Sequence, residues 1–259
     1  MNLGFVGTGT ISAAIVRGLG AAFGEGSTIH LSPRGADIAA GLARQFPHVR
    51  VAASNQAVLD ASQVVMLAVR PQIATDVIGD LAFRPDHHVI SLIATFSLET
   101  LADLVAPART VTRAVPLPAV ALGRGPTAIF PPDPVAAGLF DRTGSSIQVD
   151  SADRFDALSA ATATMASYFA FADSIACWLT AQGVAAPDSR RYVAAIFEGL
   201  AATAAAASDQ GFASLATEHA TLGGLNEQLL KRLDGGLNAS LQHGLDEILS
   251  RIRAGSASG

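Results

Sequence analysis

The sequence predicts a two-part α/β chain: a Rossmann-type, doubly wound sheet domain over residues 1–150, then an all-helical domain over 151–253 and a disordered tail over 254–259. Three observations predict it. Through residue 150, short β-branched runs alternate with helical stretches, which is the rhythm of right-handed βαβ units and a parallel sheet. The run over residues 64–69, VVMLAV, is apolar at every position, as a central parallel strand buried on both faces must be. After Asp150 the strand signal stops and Ala-rich helical periodicity replaces it.

The elements follow in order. Strands are expected at Leu3–Val6, Thr28–Leu31, Val49–Ala52, Val64–Val69, Val89–Ala94, Thr110–Ala114, Thr127–Phe130 and Ser146–Val149. Helices are expected to start near Thr10, Ala36, Asn55, Pro71 and Ser97. In the second half, Ser151 can cap a helix that runs to about Gln182, where Gly183 stops it. Pro187-Asp188 opens the next helix, with Tyr192, Ile196 and Leu200 on one face. Shorter helices are expected over Phe212–Ala220, Leu225–Asp234 and Leu237–Arg253.

Composition excludes several function classes. The 259 residues are 50% hydrophobic and only 15% charged, with 17 basic against 22 acidic side chains and a net charge of −5. That balance argues against a nucleic-acid partner held by a basic field. Lys231 is the only lysine, so chemistry needing a catalytic lysine elsewhere is excluded. A single cysteine, Cys177, forms no intrachain disulfide or cysteine zinc site, and its apolar surroundings, SIACWL, suggest a buried inert thiol. The six histidines show no metal-ligand spacing, so no metal is expected. Residues 157–187 carry one charge, Asp173, but Ala, Ser and Thr dominate them and reward hydrocarbon burial poorly. With no signal-peptide pattern at the N-terminus, a cytoplasmic protein without a membrane partner is expected.

The strongest local signal is Gly7-Thr8-Gly9-Thr10-Ile11-Ser12, between the first strand and the first helix. In a dinucleotide fingerprint the first glycine permits the tight turn and the second lets the backbone approach the pyrophosphate, which sits on the helix N-terminus. Ser12 stands at the third glycine position, where a small side chain still admits close packing. The other reading is a glycine-rich structural turn. About 20 residues on, an NAD site would place a carboxylate. Here the second strand ends His30-Leu31-Ser32-Pro33-Arg34, with a hydroxyl and a guanidinium instead. That set suits a 2′-phosphate and favours NADP, unless Arg34 is an ordinary exposed loop arginine. There is no Gly-Lys for a P-loop, and neither Tyr168 nor Tyr192 has a lysine four residues later.

With these motifs in order, the chain resembles the pyrroline-5-carboxylate reductases. GFVGTGTISAAIVRGL at the N-terminus is close to that family's GFxGxGxMxxAIxxGL; residues 68–72, AVRPQ, resemble its AVKPQ; residues 89–101, VISLIATFSLETL, resemble VSxxAGxSLxxL; and Arg113-Ala114-Val115-Pro116 resembles the start of RAMPNTP. The resemblance implies a Rossmann domain followed by a helical dimerisation domain, with NADPH as cofactor. It places Gly7, Gly9, Thr10 and Ile11 at the pyrophosphate, and Asn55, Ala68, Arg70 and Pro71 toward the ribose and nicotinamide. Ser32 and Arg34 fall to the 2′-phosphate. Thr221, Gly223, Gly224 and Asn226 align with the late TSPGGTT loop and are expected to close over substrate from a partner subunit, with Asn226 the candidate catalytic contact. A helix–helix turn that needs Gly-Gly for sharpness is the other reading of that loop.

Departures concentrate at the substrate side. Leu117 and Pro118 replace an asparagine and a threonine, Ala160–Met165 loses the glycines and proline of GSGPAY, and Leu225 removes a hydroxyl. The expected activity is hydride transfer to the C=N carbon of a small cyclic imine, pyrroline-5-carboxylate (giving proline) or a relative of it. Two alternatives stand beside it: an NADP-binding sensor or scaffold without catalysis, and a hydroxyacid-type dehydrogenase. The latter class uses a lysine in the interdomain helix, and residues 152–182 contain none. The apolar surplus in residues 157–207 reads as buried contact in a homodimer or higher homo-oligomer built through 151–253.

Overall fold

The computed structural model of the chain describes residues 1–20, 23, 26–233 and 236–257. It divides into two compact units: Met1–Ala160 with Leu249–Gly259, and Ala161–Ile248.

Among the described residues, the first unit is built on one eight-stranded sheet. Its strands are β1 (Asn2–Val6), β2 (Thr28–Leu31), β3 (Val49–Val51), β4 (Val64–Leu67), β5 (His88–Ser91), β6 (Thr110–Pro116), β7 (Gly125–Phe130) and β8 (Gly144–Gln148), in the spatial order 3-2-1-4-5-6-7-8. Every neighbouring pair is parallel except β6–β7. That antiparallel pair is a departure from the all-parallel expectation. Its cause is chain length: residues 117–124 carry only a 3-10 turn over Pro118–Leu122, too short for a parallel crossover of a dozen or more residues.

Helices α1 (Thr10–Leu19), α2 (Ala36–Gln45), α3 (Asn55–Asp60), α4 (Pro71–Gly79), α5 (Leu98–Leu104), α6 (Pro134–Phe140) and α7 (Ala152–Ala161) complete this part of the chain. Strand β4 shows how the core is divided. Val64 and Met66 join α1, α2 and α6 in one apolar cluster, while Val65 and Leu67 join α3, α4 and α5 in another. Period-2 side-chain alternation thus supplies both faces of a doubly wound sheet from one apolar run.

Three expectations need correction here. The sequence reading had no helix at α6, whose seven residues are too few to show a period. It is set instead by its cap: Asp133 Oδ1 accepts from the N–H groups of Val135 (2.8 Å) and Ala136 (2.9 Å), with Pro134 in the first turn. The domain break falls near residue 160, not 150, because α7 buries Phe155 completely beside Phe130, with ring centroids 6.2 Å apart. The expected disordered tail is helical through Ala257, and Arg253 bonds to Asp153 at 3.1 Å; residues 258–259 lie outside the described residues.

The second unit holds α8 (Thr164–Ala181), α9 (Ala186–Ala206), α10 (Phe212–His219), α11 (Leu225–Leu233) and the larger part of α12 (Leu237–Ala257). The helix expected over 151–182 is broken at Thr162-Ala163. The C-terminal residue of the helix expected at Leu225–Asp234, Asp234, lies outside the described residues. Helices α8 and α9 run antiparallel: Thr180 meets Ser189 near the connection (3.3 Å), and Tyr168 stacks edge-on with Phe197 farther along (5.3 Å between centroids). Among the described residues of 161–248, only Ser189 and Val193 are buried. Cys177 is exposed in the single chain, contrary to the buried thiol expected, because α8 has little packed over that face. No helix among the described residues is long and apolar enough to cross a membrane.

Candidate functional site

The expected cofactor residues come together along one edge of the sheet. Gly7 follows β1, Ser32–Arg34 follow β2, Asn55 follows β3, and Ala68–Pro71 follow β4, all at the carboxyl ends of parallel strands. Strand order reverses between β1 and β4, and open α/β sheets bind ligands in the crevice at such a point.

At that crevice the Gly7 backbone has φ +98°, and a Cβ there would lie 2.5 Å from the Ala68 carbonyl oxygen. No other residue fits this position without strain. Gly9, in contrast, faces open space: a Cβ there would meet nothing within 4 Å. It precedes α1 and provides no side-chain cap, so the first N–H groups of that helix remain available to an anion. Thr10 is exposed and Ile11 half-buried beside it.

Three hydroxyls hold this turn, and two of them were missed. Ser12 donates to the Gly7 carbonyl (2.7 Å) and is fully buried, so the residue at the third glycine position ties the turn down. Thr8 Oγ1 donates to the Ser32 carbonyl (2.9 Å). Ser32 Oγ accepts from the Gly7 N–H (3.0 Å) and lies 3.1 Å from Thr8 Oγ1. The expected contact of the Ser32 hydroxyl with a phosphate is therefore corrected. Ser32 is 0% exposed, and its hydroxyl braces the glycine turn. The spacing of a serine five residues after the first glycine was the available signal for Ser12.

Arg34 is exposed at the start of the next loop. The missing side chain of Gly35 lets that loop pack on the Thr8 carbonyl, which links the Arg34 loop to the glycine turn. Asn55 begins α3 half-buried after the Ser54 cap, whose hydroxyl accepts from Ala57 N–H (3.1 Å). Arg70 stands exposed at the position before α4 without a side-chain capping bond, and Pro71 is first in that helix.

Arg113, which opens the segment resembling RAMPNTP and is the one charge inside the strand TVTRAVP, is a further residue of this edge. It is 2% exposed; its guanidinium donates to the Ala94 carbonyl (2.9 Å) and reaches Asp156 (3.4 Å), and its Cζ lies 4.4 Å from the Phe155 ring centre. Burial pulls its pKa down, and Asp156 opposes that. The ion pair thereby anchors the loop that follows β5.

The expected substrate residues lie in the second unit, in the turn between α10 and α11. Their donors are largely committed within the turn. Gly224 N–H bonds to the Thr221 carbonyl (2.8 Å), Gly223 N–H bonds to Glu227 Oε2 (2.8 Å), and Asn226 Nδ2 donates to the His219 carbonyl (2.9 Å). The Asn226 amide, the candidate catalytic contact, thus closes the turn through one of its N–H groups. Hydrogen bonds from Lys231 and then from Gly223 N–H hold the Glu227 carboxyl below the usual carboxylate range. Among the described residues no group of His, Cys, Asp or Glu is arranged to hold a metal.

Comparison with known proteins adds to this geometry. The family profile described as NADP oxidoreductase coenzyme F420-dependent matches residues 2–95, and the profile for pyrroline-5-carboxylate reductase dimerisation matches residues 152–254. A pyrroline-5-carboxylate reductase of Pseudomonas aeruginosa is 27% identical over 177 residues, which is 65% of this chain and 64% of that protein. The chain thus aligns with somewhat under two thirds of the length of that relative. Among solved structures, the 1-pyrroline-5-carboxylate reductase of Streptococcus pyogenes superposes with a TM-score of 0.84, at 23% identity, covering 98% of both chains. The Plasmodium falciparum pyrroline carboxylate reductase, solved with NADP bound, gives a TM-score of 0.80 at 16% identity, covering 99% of this chain and 98% of that one. These likenesses extend the fold over the whole chain.

Proposed function

We propose that this chain, which belongs to the pyrroline-5-carboxylate reductase family, is an NADPH-dependent oxidoreductase that reduces the C=N bond of a small cyclic imine, pyrroline-5-carboxylate (giving proline) or a related imine. The observation that carries the reading is the carboxyl edge at β1 and β4: an open glycine turn, a helix N-terminus with no side-chain cap and the exposed Arg34 guanidinium, with no carboxylate at the end of β2.

Those residues fit NADPH. The N–H groups at the start of α1, beside Gly9, Thr10 and Ile11, would take the pyrophosphate. Arg34 would pair with the 2′-phosphate, which a carboxylate there would repel. Asn55, Ala68, Arg70 and Pro71 border the ribose and nicotinamide side. When bound, NADPH supplies the hydride, which goes to the imine carbon while the nitrogen keeps its proton. An iminium needs little acid assistance, so the chain's own part is orientation and exclusion of water. Arg113 contributes by fixing the loop after β5 through the Ala94 carbonyl. The turn bearing Thr221, Gly223, Gly224 and Asn226 is assigned to substrate.

The reading includes assembly. A unit that buries only Ser189 and Val193 among its described residues 161–248 cannot close a core alone. The dimerisation profile covers it. We assign it to a homodimer or higher homo-oligomer, working as a cytoplasmic enzyme of proline formation. Purified protein should oxidise NADPH when given pyrroline-5-carboxylate or a small panel of cyclic imines. Tight NADPH binding without turnover on any imine or ketone would overturn the enzyme reading in favour of a sensor.

A further inference from the structure

Helix α7 carries two carboxylates on successive turns, and each holds an arginine that leads to the same short stretch of chain. Asp156, 6% exposed, takes Nη2 of the buried Arg113 at 3.4 Å. Asp153, in the first turn of α7, takes Nη2 of Arg253 near the end of α12 at 3.1 Å. The stretch they share is the turn Ala94-Thr95, just after β5. Arg113 pairs with Ser91 in the β5–β6 register, and its Nη2 also donates to the Ala94 carbonyl at 2.9 Å. From α12, Gly255 passes beside Thr95: a Cβ on it would stand 3.9 Å from Thr95 Cβ and Cγ2, an ordinary van der Waals distance.

The flanks of this turn are fixed in another way. Ile93 and Phe96 are buried in the apolar cluster with α3, α4 and α5, whereas Ala94 and Thr95 are only half-buried. Leu92 N–H donates to the Leu67 carbonyl (2.9 Å), which lays the chain after β5 alongside Ala68–Pro71. On the reading above, that is the nicotinamide side, and hydride transfer tolerates little misplacement there. We propose that Asp156 and Asp153 are positioning residues for hydride transfer: Asp156 acts through Arg113, Asp153 through Arg253 and the last turn of α12, and together they clamp the Ala94-Thr95 turn beside the nicotinamide. A guanidinium as buried as Arg113 needs its counter-charge, and loss of Asp156 leaves that charge unbalanced directly under the turn. The chemistry is unchanged: hydride passes from NADPH to the imine carbon, the nitrogen keeps its proton, and a cyclic amine and NADP⁺ leave. The inference rests on the reductase reading.

The test is single-turnover NADPH oxidation. The full chain, loaded with NADPH, is mixed with excess 1-pyrroline-5-carboxylate; the absorbance change gives a rate for hydride transfer and an amplitude for the fraction of competent sites. Asp156→Asn should slow the rate roughly 10- to 100-fold. Its NADPH dissociation constant should stay within about 3-fold of wild type, because the phosphates are held at α1 and Arg34. Arg113→Lys, which gives up the planar fork shared by Ala94 and Asp156, should slow it likewise and serves if Asp156→Asn does not fold. Asp153→Arg alters an exposed pair that does not threaten folding; it should slow the rate about 3-fold, and adding Arg253→Asp should restore it. A smaller amplitude or lower Tm with an unchanged rate in Asp156→Asn and Arg113→Lys would make the pair merely structural and overturn the proposal. An unchanged rate in Asp153→Arg would overturn its α12 half. No NADPH oxidation by the wild-type chain with any imine would instead defeat the reductase reading, and this inference with it, before any variant is compared.

Discussion

Residues 1–160 and residues 161–248 solve the burial problem differently. The first region fills both faces of its sheet from its own helices, with Leu3, Phe5, Ile29, Met66 and Leu67 fully buried. The second has long helices and aromatic side chains but buries almost nothing: Trp178, the only tryptophan, is 61% exposed. Apolar composition therefore does not by itself say where a core is. The sheet region can be complete in one chain, and the helical region needs a second copy to remove its surface from water.

That contrast is broken most severely by attacking the helical region. Tyr192→Asp, on an exposed face of α9, is expected to abolish assembly and with it the reductase activity, while the sheet region stays folded. Size-exclusion chromatography and the emission of Trp178, shifting to the red as it loses its cover, check both halves of the statement. A wild-type chain that runs as a monomer at micromolar concentration would end the comparison.

Next in size is a pair of glycines within the sheet region. Gly7→Ala forces a Cβ to within 2.5 Å of the Ala68 carbonyl at φ +98°, and strain of this kind costs about 1–3 kcal/mol or more. It should lower the Tm and weaken NADPH at least 100-fold. Gly9→Ala meets no protein atom, so its Tm should stay near wild type while NADPH affinity falls about 10-fold through crowding of the pyrophosphate. Equal thermal destabilisation by both would contradict the assignment of the open position to ligand.

Arg34→Ala separates cofactors: NADPH binding should weaken about 10–100-fold with NADH little changed, since a charge-assisted phosphate contact is lost. The same loss for both cofactors in titrations would refute the 2′-phosphate contact.

The smallest expected effect concerns Asp133, which is 4% exposed. Burial raises its pKa, but hydrogen bonds from His88, the Ala136 N–H and Thr112, together with the charge of His88, outweigh this and bring it down to about 2. A folded-state pKa below the ordinary value adds stability that is fully present above about pH 4 and is lost as pH falls to about 2. The shift corresponds to about 2 kcal/mol. Asp133→Asn should be less stable at neutral pH by roughly that amount and should lack this part of the acid dependence, as read from denaturant midpoints across the range.

Much of the sheet region was legible in the sequence because its signals are local. Eight β-branched runs mark eight strands, and Gly7 and Gly9 mark the crevice between β1 and β4. The misses have physical causes. The β6–β7 reversal is a matter of loop length, α6 depends on one capping carboxylate, and α7 joins the sheet unit through Phe155 and Arg113, which are 42 positions apart in the chain. Ser32 looked like a phosphate ligand because hydroxyl chemistry is visible in sequence, whereas its direction is not. Asn226 and Glu227 were illegible for the same reason: a side chain's partner depends on which backbone group the turn brings to it.

By itself, then, the sequence determined the alternation of strands and helices, the glycine turn, the absence of a carboxylate after β2 and the lack of any lysine but Lys231. These follow from residue type and spacing alone. Only the tertiary structure decided which hydroxyls face a ligand and which brace the turn, where the sheet unit ends, and that the apolar surplus of residues 161–248 is left uncovered within one chain. Burial and hydrogen-bond direction are properties of contacts between residues distant in sequence, and local pattern carries little trace of them.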